Sequence, residues 1–182
     1  LGISAVIMED KTGLKKNSLL NDTSSQSQED IATFSEKIRT TKINQQNPDF
    51  MIIARIESFI LGKGIDDALL RAKSYVDSGS DAIMIHSKKN QPNEIFDFSK
   101  KFKKEFSNIP LVCVPSTYSS VKESELIENG FNIVIYANHL FRAAYPAMVK
   151  TAESILTHER SKEIEDKLTS IKDMMDLIPG TN

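Results

Sequence analysis

Five short apolar runs recur along the chain: Ile3 to Met8, Phe50 to Ala54, Ala82 to Ile85, Ile109 to Val114 and Phe131 to Tyr136. Each is nearly continuous rather than alternating, the pattern of a strand covered on both faces. Segments whose apolar residues return at helical spacing follow them, as in Ile31, Phe34 and Ile38, or Ile95, Phe98, Phe102 and Phe106. Strands and helices in such alternation are satisfied by a parallel sheet with helices packed on it. Polar residues at the five strand ends include Glu9, Arg55, His86, Ser116 and Asn138. The carboxyl ends of parallel strands build the site, so these positions are where chemistry is expected.

An open doubly wound sheet and a closed barrel both fit this alternation. No glycine-rich phosphate loop follows the first run, which weakens the nucleotide-binding version of the open sheet. A barrel needs eight strands, and five are present. The chain starts at Leu1, two residues before a strand-like run. Its beginning reads as a cut, with three strand-helix units expected upstream.

Helices are predicted over Asp30 to Thr41, Ile65 to Val76, a segment after Pro92, and Val121 to Glu128. Asp66 and Asp67 open the second of these, where acids match the helix dipole. Two further helices are predicted after the last strand. One runs from Leu140 to about His158 around Pro146; the other, Lys162 to Leu177, carries Ile164, Leu168, Ile171, Met174 and Met175 on one face. Residues 1–158 are thus assigned to the strand-helix domain and 159–182 to a C-terminal helix.

Composition narrows the function classes. A chain of 182 residues with 40% hydrophobic and 26% charged residues has the makeup of one globular domain. A net charge of -2, with acids and bases interspersed, gives no nucleic-acid surface. The single cysteine, Cys113, lies within an apolar run and reads as a core thiol. No apolar run approaches the roughly 18 residues of a membrane span, and no signal peptide is visible. The expected location is the cytoplasm, with no membrane partner.

Among the strand ends, Glu9-Asp10 followed by the cationic segment Lys11 to Lys16 suits a metal-bound anionic substrate, though a charged strand end and a solvated turn read the same way. Arg55 either pairs with Glu57 or grips a carboxylate or phosphate in bidentate fashion. His86 stands beside Ser87 and Lys88 as an anion contact, or is a satisfied core histidine. Asn138 is equally a turn or cap residue.

Taken together, Glu9-Asp10-Lys11-x-x-x-Lys15-x-Asn17-Ser18-Leu19, Ile53-Ala54-Arg55-x-Glu57, Arg71-Ala72-x-x-Tyr75, Asp81-Ala82-Ile83-Met84-Ile85-His86-Ser87-Lys88 and Tyr136-Ala137-Asn138-His139-x-x-Arg142-Ala143-x-Tyr145-Pro146 resemble the phosphoenolpyruvate mutase family. That family lies within the isocitrate lyase superfamily of (β/α)8 barrels. The resemblance implies an α/β fold made of the C-terminal five strand-helix units of a TIM barrel, strands 4 to 8, with the first three absent. It implies an isomerase that interconverts phosphoenolpyruvate and 3-phosphonopyruvate with Mg2+ in phosphonate biosynthesis, this chain alone being an incomplete enzyme. Carried over by position, Lys15, Asn17, Arg55 and His86 are catalytic, and Asn17, Ser18, Arg55 and His86 meet the substrate. Glu9 is a water-mediated metal partner. The resemblance also implies a homodimer or homotetramer formed through the C-terminal helices. Two rival readings remain. Phosphonopyruvate hydrolase shares most of these strand ends, with Asn17 favouring the mutase; a non-catalytic barrel fragment would act only as an assembly partner.

Overall fold

Apolar runs too short for helices pair through their backbones, and five do so in a computed structural model that describes residues 2–13, 26–178 and 180. β1 (Ala5–Glu9), β4 (Met51–Ile56), β5 (Ala82–Ile85), β6 (Leu111–Cys113) and β7 (Ile133–Val134) form one sheet in that spatial order. All four pairings are parallel, with Glu9 opposite Arg55 and Arg55 opposite Met84. A second, antiparallel ladder joins the two-residue strands β2 (Lys11–Thr12) and β3 (Ser27–Gln28).

Four helices pack on one face of the large sheet: α1 (Ile31–Ile43), α2 (Gly64–Asp77), α3 (Asn93–Glu105) and α4 (Glu123–Glu128). Asp30 caps α1 by accepting the Thr33 N–H at 2.9 Å. α2 ends at Ser78, where Gly79 takes φ +101° and a Cβ would meet Lys42 Cγ at 3.2 Å. On α3, Phe98, Phe102 and Phe106 stack with centroid separations of 5.6 and 5.1 Å. Their helix face joins Phe34, Ile38, Ala72 and Tyr75 against Ala54, Ile56, Ile83 and Ile85 of the sheet.

The opposite sheet face carries a separate layer of Ile53, Ala82, Met84, Val112 and Val114, with no helix residue among its members. Within this unit α1 to α4 on one side, and strands placed in chain order without reversal, match a barrel wall; a doubly wound sheet has helices on both sides and reverses its strand order. The period-2 alternation of Ile53/Ala54 and Ile83/Met84 divides the two layers.

Two expectations are corrected. β1 was expected to be buried on both faces, yet Val6 and Ile7 are 38% and 39% exposed. Among the described residues β1 has a sheet neighbour only on its β4 side, and burial of a strand is supplied by what lies beside it. The predicted helix over Lys162 to Leu177 is broken. A 3-10 turn at Glu165–Lys167 gives way to extended backbone at Leu168, and α6 restarts at Ile171–Asp176. Ser170 accepts the Asp173 N–H at 3.1 Å, and this local cap competes with continued helix. The expected apolar stripe is therefore split between two elements.

By contact the chain divides into two compact units, Leu1–Ala137 and Asn138–Asn182. The second consists of α5 (His139–His158), which runs through Pro146, the 3-10 turn and α6. None of its helices among the described residues is long and apolar enough to cross a membrane.

Candidate active site

Backbone alternation sorts the strand-end residues into two layers. On β4, Ala54 and Ile56 face the helices, so Ile53, Arg55 and Glu57 continue along the inner face. His86 follows Met84 on that face of β5 in the same way. At the end of β1, alternation sends Glu9 and Lys11 inward and Asp10 back toward α2.

The inner layer is a ring of alternating charge. Arg55 donates from Nε and Nη2 to Glu57 Oε1, both at 2.7 Å, and Nη2 lies 3.2 Å from Glu9 Oε1. Lys11 Nζ closes the ring, 3.1 Å from Glu57 Oε2 and 3.4 Å from Glu9 Oε1. Two acids and two bases cancel, which is what permits the Glu57 side chain to be wholly buried. Arg55 and Glu9 retain 21% and 16% side-chain exposure, so the ring is open to solvent on their side. His86 stands next to it. Burial foremost, and then the positive charge of Arg55, push its imidazole down to about 4 against the opposing pull of Glu57. It is uncharged at neutral pH, and its buried Nδ1 has no hydrogen-bond partner among the described residues.

Asp10 organises the outer layer and is fully buried. Its Oδ1 accepts the Glu57 backbone N–H at 3.0 Å. Its Oδ2 accepts the Tyr75 hydroxyl and Gln28 Nε2, each at 2.8 Å, and Arg71 Nη1 at 3.3 Å. Arg71 reaches further, to the Glu29 carbonyl at 2.8 Å and Asp67 Oδ2 at 3.0 Å. Ser58 donates to the same Asp67 oxygen at 2.6 Å. Burial pushes the Asp10 carboxyl up, opposed by these donors, and burial likewise raises the Tyr75 hydroxyl. Four donors on one carboxylate offset most of the cost of burying it.

No group of three or more His, Cys, Asp or Glu side chains able to hold a metal occurs among the described residues. Glu9 and Glu57 each face two cations, so this set does not form an inner coordination sphere. Glu9, the more exposed carboxylate, suits a hydrogen bond to a metal-bound water, since Mg2+ keeps several waters in protein sites.

Of the residues expected from sequence, Glu9 and Arg55 come together, with His86 beside them. Lys15, Asn17 and Ser18 lie outside the described residues. Ser87 is engaged elsewhere: its hydroxyl donates to Glu94 of α3, and its carbonyl accepts Thr117 Oγ1 at 3.3 Å. It fastens a helix start rather than meeting an anion. Ser116 forms a local turn through its N–H to the Val114 carbonyl, and Asn138 begins the second unit. Sequence reasoning named Glu9-Asp10 with the cationic segment from Lys11, and the motif Arg71-Ala72-x-x-Tyr75, but gave Asp10, Lys11, Arg71 and Tyr75 no individual roles. One signal was available: Arg71 occupies a core position on α2, in register with Ala68, Ala72 and Tyr75.

Residues 1–156 match the model of the family described as phosphoenolpyruvate phosphomutase. The chain is 39% identical over 175 residues to the phosphoenolpyruvate phosphomutase of Tetrahymena pyriformis, covering 96% of this chain and 57% of that protein. A crystal structure of phosphoenolpyruvate phosphomutase from Streptomyces platensis subsp. rosaceus superposes with a TM-score of 0.90 at 38% identity, over 97% of this chain and 60% of that one. Phosphonopyruvate hydrolase in complex with oxalate and Mg2+ gives 0.84 at 35% identity, over 97% and 59%. The chain thus spans well under two thirds of the length of these relatives. Matched by the family model from residue 1 to residue 156, through the whole first unit and into the second, the chain belongs to the phosphoenolpyruvate phosphomutase family.

Proposed function

We propose that this chain carries the phosphoryl-handling half of a cytoplasmic phosphoenolpyruvate mutase, which interconverts phosphoenolpyruvate and 3-phosphonopyruvate. In the forward direction the phosphoryl group leaves the enol oxygen and is bonded to carbon 3 of the resulting pyruvate enolate. The observation that carries this reading is the charge ring at the ends of β1 and β4, with neutral His86 beside it. A loose phosphoryl-transfer transition state requires clamps on its equatorial oxygens and exclusion of water more than it requires a base. Arg55 supplies a planar cation held by Glu57 on one edge, and Lys11 adds a second positive charge deeper in the ring. His86, uncharged, hydrogen-bonds substrate without competing for a proton. Lys15, Asn17 and Ser18 complete the substrate contacts in this reading.

Mg2+ would neutralise developing charge on the transferred group. In this reading it is held mainly by carboxylates other than those described, with Glu9 acting through water. The five strands correspond to strands 4 to 8 of an eight-stranded barrel, a placement supported by the helix-free inner face and the exposed edge of β1. Residues 159–182 form the C-terminal segment of the domain division, and exposed apolar side chains along α5 and α6 support a homodimer or homotetramer.

Replacement of Arg55 by Ala in the full-length protein tests this function. A desolvated, charge-assisted contact of about 3 kcal/mol predicts a loss in kcat/KM of roughly a hundredfold or more. Kinetics within a few-fold of wild type would reduce Arg55 to a structural partner of Glu57. Phosphonopyruvate hydrolase is the alternative reading, its structure matching nearly as well, with a TM-score of 0.84 against 0.90 for the phosphomutase. Assay of products separates the two: release of inorganic phosphate and pyruvate from phosphonopyruvate would mark the hydrolase.

A further inference from the structure

Asp10 lies on the opposite side of the backbone from the charge ring, yet it is tied to both residues that build the ring's β4 side. Its N–H donates to the Arg55 carbonyl at 3.1 Å, and its Oδ1 accepts the Glu57 N–H at 3.0 Å. Glu57 touches both cations through separate oxygens, Oε1 toward Arg55 and Oε2 toward Lys11. A small rotation of the chain at Glu57 would therefore shift both cations at once. We propose that Asp10 is a positioning residue for anion binding, setting Glu57, and through it the Arg55 guanidinium, from the helix side of the sheet. The proposal rests on the anion-site reading above.

Three features give Asp10 the stiffness this role needs. Tyr75 and Arg71 approach its Oδ2 from α2, and Gln28 approaches from β3. Tyr75 is itself locked, its ring tilted against Phe34 at 4.7 Å between centroids and its hydroxyl accepting Arg71 Nη1 at 2.9 Å. Arg71 is fixed at its other edge by Asp67. The carboxylate thus has one oxygen committed to α2 and β3 and the other to the end of β4, and it transmits the placement of the helix to the ring.

The test is a double-mutant cycle in the full-length protein, read as oxalate affinity in the presence of Mg2+ by calorimetry. Asp10→Asn keeps size but turns an NH2 toward either the Glu57 N–H or the three donors at Oδ2. It is expected to weaken oxalate by about tenfold or more, the scale of a hydrogen bond to a charged group. In an Arg55→Ala background the same change should cost clearly less than in the wild type, because of the two cations set by Glu57 only Lys11 remains. Equal weakening in both backgrounds, or wild-type affinity for Asp10→Asn beside a weakened Arg55→Ala, would overturn the positioning role alone. Wild-type affinity for Arg55→Ala would overturn the anion-site reading, and the proposal with it. Should Asp10→Asn fail to fold, Tyr75→Phe keeps the ring packing and removes one donor; it runs the same cycle with an expected loss of about threefold, and no loss would overturn the proposal.

Discussion

At the ends of β1 and β4 charged groups lie inside; along α5 apolar groups lie outside. Asp10 and Glu57 are fully buried, whereas Leu140 and Leu156 are 87% and 79% exposed. Both regions reverse the ordinary partition of polar and apolar residues, and they do so with different energetics. The buried acids are tolerated because their oxygens have donors or cations within hydrogen-bond range. The apolar side chains of α5 have no such compensation in the monomer, since not one of its residues is buried. An internal inversion that is fully satisfied marks a site, and an external one marks a face that stability alone does not explain.

The largest expected effect that would sharpen this contrast comes from breaking the ring at its deepest point. Glu57→Ala leaves the Lys11 ammonium buried without that counter-charge, and should lower stability by about 3–5 kcal/mol in urea melts. A cost under about 1 kcal/mol would mean that water enters the cluster freely and that it is not an interior site.

Next in size is a pH dependence. The His86 imidazole is held at about 4 in the folded protein against 6.5 as its ordinary value. Its contribution is therefore fully present above pH 6.5 and is lost as pH falls toward 4, by roughly 3 kcal/mol in all. Asp10, raised by burial, acts in the opposite sense at acid pH, so the reading is the difference between wild type and His86→Asn. A flat difference across that window would show that His86 titrates as in water.

The smallest expected effect comes from the other region. Phe141, at 69% exposure, contributes little to the fold of the monomer, and Phe141→Ala should change its stability by no more than about 0.5 kcal/mol. A cost comparable to Glu57→Ala would break the comparison. A fall in the apparent mass by light scattering with unchanged monomer stability would instead identify α5 as a subunit contact.

Much of the fold was legible because strand and helix periods are local. Ala82–Ile85 begins and ends where the sequence placed it, and the predicted helix starts at Asp30, Ile65 and Pro92 fall within a residue or two of those observed. The C-terminal prediction failed because Ser170 and Asp173 form a cap that a count of apolar positions does not weigh. Within the site, Glu9, Arg55 and His86 were legible as polar residues ending apolar runs. Asp10 was visible in the same triplet, but its purpose was not, because a carboxylate next to Glu9 reads as more of the same charge until the pleat is known to turn it the other way.

The sequence by itself determined the order of strands and helices along the chain and which strand ends carry charge, since these follow from short apolar runs and a period of 3.6 along the chain. Tertiary structure alone decided which charges meet. The donors to Asp10 come from Gln28, Glu57, Arg71 and Tyr75, which are 18, 47, 61 and 65 residues away. Side-chain hydrogen bonds act over about 3 Å, and no local pattern encodes a distance of that size between residues so far apart in sequence. The packing of α2 against the sheet sets it.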